Sequence, residues 1–282
     1  MGNHWDRYCF AMLDNQYGLQ PRAKGSVTLT SKLRGNVSVI DDLHQSGCLR
    51  LLFPRGDAAL DAVLINTSGG VTGGDNIAVS ATVGAGSEMT LTTQAAERAY
   101  RAQPGQIGQI TTTLSVDAGG ALNWLPQEIL LFNGSNLHRE LKVSLAGNAS
   151  ALLVEPVVFG RAAMGETLTD IAFKDRVSVM RDGRPIYRDG ACFEGNAAAQ
   201  LARPAIGQGM IAMANIIYAA PDAQTRLPAV RALMPSTGGA SLLADDLLVG
   251  RIMAADSFLL RCALIPIIER LSGAAVPRTW RL

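Results

Sequence analysis

From Gly25 onward, polar and apolar residues alternate over short runs, the two-residue period of a strand with one face buried. The segment Ser26-Val27-Thr28-Leu29-Thr30 shows it plainly. Residues 60–66, 77–83, 88–93 and 109–116 continue in the same way. They are rich in Val, Ile and Thr, whose branched side chains suit a pleated, half-buried surface. Glycine-bearing turns separate these segments at short intervals.

Three of the turns resemble one another. Residues 81–91, 114–122 and 143–152 each read as a strand, an Ala-Gly turn and another apolar strand. Their glycines, Gly86, Gly119 and Gly147, lie 33 and then 28 residues apart. A strand repeat near that period is what successive coils of a β-solenoid produce. The pattern predicts a mainly β fold, a solenoid-like or β-helix-like stack of short strands. The unequal spacing leaves a sandwich of similar hairpins as the alternative.

A helical period occurs only in the last quarter, where two helices are expected. Thr225 reads as the cap of a short helix with Pro228 in its first turn and Leu227, Val230 and Leu233 on one face. Asp256 reads as the N-cap of a longer helix through Leu271, with Gly273 as its stop. Pro266 should kink or divide that helix. Because Phe258, Leu259, Leu260, Leu264 and Ile268 surround it, it should be buried on more than one side. Residues 1–24 read as a flexible leader. No linker signal follows Gly25, so residues 25–282 are expected to form a single domain.

Composition narrows the function. The 282 residues carry 25 Lys or Arg against 24 Asp or Glu, and a net charge of +1 argues against a dedicated nucleic-acid binder. A 48% hydrophobic content excludes disorder for most of the chain. With only 7 Phe, 3 Trp and 5 Tyr, it has fewer aromatic platforms than a carbohydrate cleft usually presents. Cys9, Cys48, Cys192 and Cys262 lie far apart and read as reduced, small buried apolar residues of the cytosol. The leader lacks the apolar core of a signal peptide. The uncharged stretch 204–221 is broken by proline and glycine and is not a membrane span. The expected location is cytoplasmic.

Several chemistries are refused. Three histidines, no paired cysteines, no His-Glu-x-x-His and no EF-hand loop leave no permanently bound metal or cofactor to expect. No Gly-x-Ser-x-Gly elbow occurs. The run Ser68-Gly69-Gly70-Val71-Thr72-Gly73-Gly74-Asp75 is no phosphate loop, because Asp75 and a strand follow where Lys and a helix are required. It is either a tight turn with a bulge or a backbone-lined passage. Glu97 and Arg101, four apart, would support one helical turn. Arg98, Tyr100 and Arg101 suit a partner surface. Glu128 and Glu166 each follow a buried-looking strand, where an acid is rare unless paired.

Taken in order, 66–75, 92–101, Trp124-Leu125-Pro126-Gln127-Glu128, Phe159-Gly160-Arg161 through Gly165-Glu166, and Pro277-Arg278-Thr279-Trp280 closely resemble the urease accessory protein UreD (UreH) family. The resemblance runs from about Gly25 to the C-terminus. It implies a helix-poor solenoid-type fold and a non-catalytic chaperone of urease maturation. It further implies binding to apo-urease and to UreF, through which the UreG GTPase is recruited, and transient passage of nickel(II). By match to the family's motifs, Asp75, Glu128 and Glu166 are placed along the nickel passage, with Thr72, Gly73 and Gly74 lining it. Arg98, Tyr100, Arg101 and Arg161 are assigned to partner binding. Scattered oxygen donors fit an ion in transit better than imidazole or thiolate, which hold nickel tightly. Two rivals stand beside this. One is a parallel β-helix carbohydrate-active enzyme using Glu128 and Glu166 as a carboxylate pair. The other is a purely structural adaptor that nickel never enters.

Overall fold

The computed structural model describes residues 20–56, 58–161 and 164–281. The chain alternates between two sheets that share one core. In the first coil, β5 (Asn76–Val83) passes through the turn at Gly86 into β6 (Glu88–Thr93). Next, β8 (Gly108–Val116) passes through Gly119 into β9 (Ala121–Leu125), and β11 (Asn136–Leu145) through Gly147 into β12 (Ser150–Phe159). Strands β5, β8 and β11 pair in parallel, with Val83, Val116 and Leu145 in one row. Facing them, β6, β9 and β12 also pair in parallel. Stacked hairpins would give antiparallel neighbours, so the parallel ladders decide for the solenoid over the sandwich.

The turns stack as well. Gly86, Gly119 and Gly147 have φ of 68°, 73° and 52°, a region glycine enters without a Cβ clash. The Ala121 N–H donates to Ser87 O and the Ser150 N–H to Gly120 O, so the ladder continues around the corner. A third row closes each coil. There β7 (Glu97–Ala99), β10 (Ile129–Leu131) and the last residues of β12 pair in parallel, and Val71 joins by a single bridge to Ala99. Val71, Ala99, Leu131 and Phe159 thus form one buried column.

Antiparallel strands finish both ends. At one end, β1 (Lys24–Arg34) pairs in parallel with β5 and antiparallel with β2 (Val37–Gly47). Beneath it, β3 (Leu49–Leu52) pairs with β4 (Leu60–Asn66), which joins β6. At the other end, β13 (Ile171–Arg181) pairs with β11 and folds back through Asp182-Gly183 into β14 (Arg184–Gly195). Both turn residues have positive φ, 49° and 75°, the geometry that closes a two-residue hairpin. The second sheet ends with β15 (Ala212–Ala219), β17 (Leu247–Ala254) and β16 (Gly238–Ala244), all antiparallel.

Three helices are described: α1 (Ala197–Leu201), α2 (Ala223–Leu233) and α3 (Ser257–Ser272). The sequence pattern missed α1, which at five residues is too short to show a period. The capping expectation for α2 is corrected. Its N-cap is Asp222, Pro228 lies in its interior, and the Thr225 hydroxyl donates to Asp222 O at 2.8 Å. For α3, Asp256 accepts from the Leu259 N–H at 2.7 Å, and Gly273 closes the helix at φ 70°. Pro266 does not divide it. Nor is α3 buried all round: Leu260, Leu264, Ile267, Ile268 and Leu271 form a second core with β12 and β15, while Phe258 is 60% and Leu259 49% exposed. β12 lies between the two cores, which explains its nearly unbroken apolar run.

Two further expectations change. Cys192 and Cys262 are exposed and so are not core residues, half-buried Cys48 packs against the main core, and Cys9 lies outside the described residues. The expected leader falls outside them up to residue 19. Its last residues are anchored instead: the Ala23 N–H donates to Asp75 at 2.7 Å, and β1 begins at Lys24. Among the described residues, no helix is long and apolar enough to cross a membrane.

Candidate functional site

The column Val71, Ala99, Leu131 and Phe159 fixes what lies beside it. One residue further along each coil come Thr72, Tyr100 and Phe132, and the next positions include Arg101, Asn133 and Arg161. Segments distant in sequence therefore become neighbours. The Tyr100 and Phe132 rings meet edge to face at 5.1 Å, and the Arg161 guanidinium lies 4.2 Å over Phe132. The Thr72 hydroxyl donates to Arg101 O at 2.7 Å. Gly70 allows this closeness, since a Cβ there would sit 2.2 Å from the Tyr100 ring.

Glu166 closes the pocket. Its carboxylate accepts from Arg161 Nε at 3.0 Å and Nη2 at 3.1 Å, and from the Asn133 N–H at 3.2 Å. Hydrogen bonding from Arg161 holds its carboxyl below the usual range. Tyr100, Arg101, Phe132, Asn133, Arg161 and Glu166 line one shallow surface pocket.

The other predicted donors lie elsewhere. Asp75 is buried and accepts from the Ala23 N–H at 2.7 Å and the Thr72 N–H at 2.8 Å. It thereby ties the glycine loop to the entry of β1. Gly73 packs where a Cβ would meet Ala102 and Gln106 within 2.8 Å. Gly74 turns the chain at φ 88°. Glu128 is paired beneath α3 with Arg261 Nη2 at 2.9 Å. Beside it, Gln127 donates to Thr279 O at 2.8 Å, and the fully buried Trp280 donates its indole N–H to Leu125 O at 2.9 Å. The two motifs 124–128 and 277–280 thus lock together around the start of α3.

Between the sheets lies a cavity of about 210 Å³ whose lining includes Asn66, Glu97, Arg98, Gln127, Arg139 and Glu155. Glu97 is in strand β7, which corrects the expected helical turn with Arg101. Its carboxylate accepts from Asn66 Nδ2 at 3.0 Å, and burial pushes it above the ordinary range. Glu155 bonds to the Trp124 indole N–H and pairs with Arg139 at 2.6 Å. Arg139 also holds Asp175 through two bonds, at 2.6 and 2.9 Å. Burial raises Glu155. This network was not among the expected site residues. A lone acid inside the apolar run of β12 was the signal for it, because a buried acid demands a partner.

Tyr100, Arg101, Arg161 and Glu166 are therefore brought together, Arg98 borders the cavity, and Asp75 and Glu128 stand apart from both. No cluster of three or more His, Cys, Asp or Glu able to hold a metal occurs among the described residues. Glu128 and Glu166 are each bonded to their own arginine in separate clusters, which removes the carboxylate pair that a glycoside hydrolase needs.

Comparison with known proteins agrees with this. Residues 23–281 match the family model described as UreD urease accessory protein. A urease accessory protein UreD of Ruegeria pomeroyi is 51% identical over 255 residues, covering 90% of this chain and 99% of the relative. The protein of that name from Roseobacter denitrificans is 48% identical over 263 residues, covering 93% of this chain and 96% of its own. One from Rhizobium etli is 43% identical over 264 residues, with coverage of 93% and 96%. These relatives are named as accessory proteins and not as enzymes. The chain belongs to the UreD urease accessory protein family.

Proposed function

We propose that this chain is a cytoplasmic, non-catalytic chaperone of urease maturation. It binds apo-urease and UreF, recruits the UreG GTPase through UreF, and helps nickel(II) reach the urease active site without holding it permanently. One observation carries the proposal. The segments that resemble the family come from distant parts of the chain, yet successive coils gather Tyr100, Arg101, Phe132, Arg161 and Glu166 on one surface pocket. Exposed Tyr and Arg in a preformed pocket are the residue types that anchor protein partners.

Passage of nickel through the chain is the finer part of the proposal, with Asp75, Glu128 and Glu166 as donors and Thr72, Gly73 and Gly74 as lining. Of these donors Glu166 opens on the surface pocket, whereas the acids lining the internal cavity include Glu97 and Glu155. The contrasting adaptor reading draws support from the same acids, since Glu128 and Glu166 are already paired with arginine and Asp75 with backbone N–H groups. Nickel content of urease co-expressed with UreF and UreG, with and without this chain, tests the whole. Several-fold lower nickel without the chain is expected, and equal loading would sink the proposal. Within it, Glu166→Gln separates the two variants. Reduced loading with UreF binding intact places Glu166 on the route, and unchanged loading removes it.

A further inference from the structure

The surface pocket has an unbalanced charge. Arg161 and Glu166 cancel one another in a two-bond pair, and the remaining charged residue of the lining is Arg101. Among the described residues Arg101 makes no ion pair. Its side chain lies along Gly134, where a Cβ would sit 2.9 Å from Arg101 Cγ and 3.1 Å from its Nε and Cζ. The missing side chain at 134 therefore gives the guanidinium its place. The rest of the lining is neutral, with the Tyr100 and Phe132 rings as an aromatic wall.

From this charge balance we infer that the pocket receives an acidic side chain of a partner protein, gripped by Arg101 and flanked by Tyr100 and Phe132. Glu166 holds Arg161 over the Phe132 ring. The inference rests on the proposal that this face meets the urease machinery, and it names the chemistry of what docks there. A guanidinium presents a planar fork of donors that matches a carboxylate, and aromatic neighbours lower the exposure of that pair to water.

The test uses the full chain with purified UreF and apo-urease, comparing wild type with Arg101→Glu and Arg101→Lys. Arg101→Glu should weaken assembly with one of these partners by about tenfold or more, the loss typical of a charge-assisted bond. Arg101→Lys should fall between, since it keeps the charge without the fork. Wild-type affinity should decline as salt rises from about 50 to about 500 mM, with Arg101→Glu losing that dependence. Wild-type assembly by an Arg101→Glu chain with an unchanged melting temperature overturns the inference. So does a salt slope the same as wild type. The underlying proposal fails separately, if urease loads nickel equally well without the chain.

Discussion

Glu97 shows how a single residue is decided by its surroundings. On a strand facing the cavity, its carboxylate has one amide partner and its own neighbour's N–H, and burial raises its pKa. An acid raised in the fold binds its proton more tightly there than in the unfolded chain. Its ionisation therefore subtracts stability as pH climbs from the unfolded value, about 4.3, through the folded one. Glu97→Gln keeps an acceptor for Asn66 and removes that loss. The variant should melt higher than wild type at pH 7, with the gain fading below about pH 4. Thermal melts at the two pH values check it, and a gain independent of pH would assign the effect to packing. Gly70 is the opposite case, a position set by space. Any side chain there collides with the Tyr100 ring, so Gly70→Ala should disturb the surface pocket while leaving the coil ladder formed.

Among the elements, α3 depends on one buried pair. Arg261 and Glu128 are each 10% exposed, and Arg261 also lies over the Trp280 ring at 5.6 Å. Removing one partner strands a buried charge, so Glu128→Ala should cost about 3–5 kcal/mol of stability. Glu128→Gln, which still accepts a bond, should cost less. Urea unfolding of both variants measures the difference, and equal small losses would mean that water replaces the missing partner. Alternation along the chain gave the strands of the coils, and the Asp256 and Gly273 signals gave the ends of α3. The start of α2 was less legible. Asp222 and Thr225 both suit a cap, and contacts from Tyr218 and Arg226 decided between them.

At the scale of the whole molecule, parallel coils make residues some thirty positions apart into neighbours, and the C-terminus returns to the middle of the chain. A chain ending at Ala275 lacks Trp280, which is fully buried, and exposes the wall around Leu125. Losing a buried tryptophan costs about 3–5 kcal/mol, a large share of a typical total stability of about 5–15 kcal/mol. The truncated chain should therefore bind a hydrophobic dye and lose its sharp melting transition. A melt like that of the full chain would show that the C-terminal turn is dispensable.

The sequence by itself determined that the chain is built from short half-buried strands joined by glycine turns, because side-chain alternation and positive φ are local demands. The order of its motifs also pointed to the family. Tertiary structure alone decided which acids face the cavity, which of them an arginine pairs, and that Arg101 is left over. Those outcomes depend on the stacking register of the coils, which brings together side chains from β7, β10, β12 and the loops that follow. No local pattern encodes a charge balance made between residues so far apart.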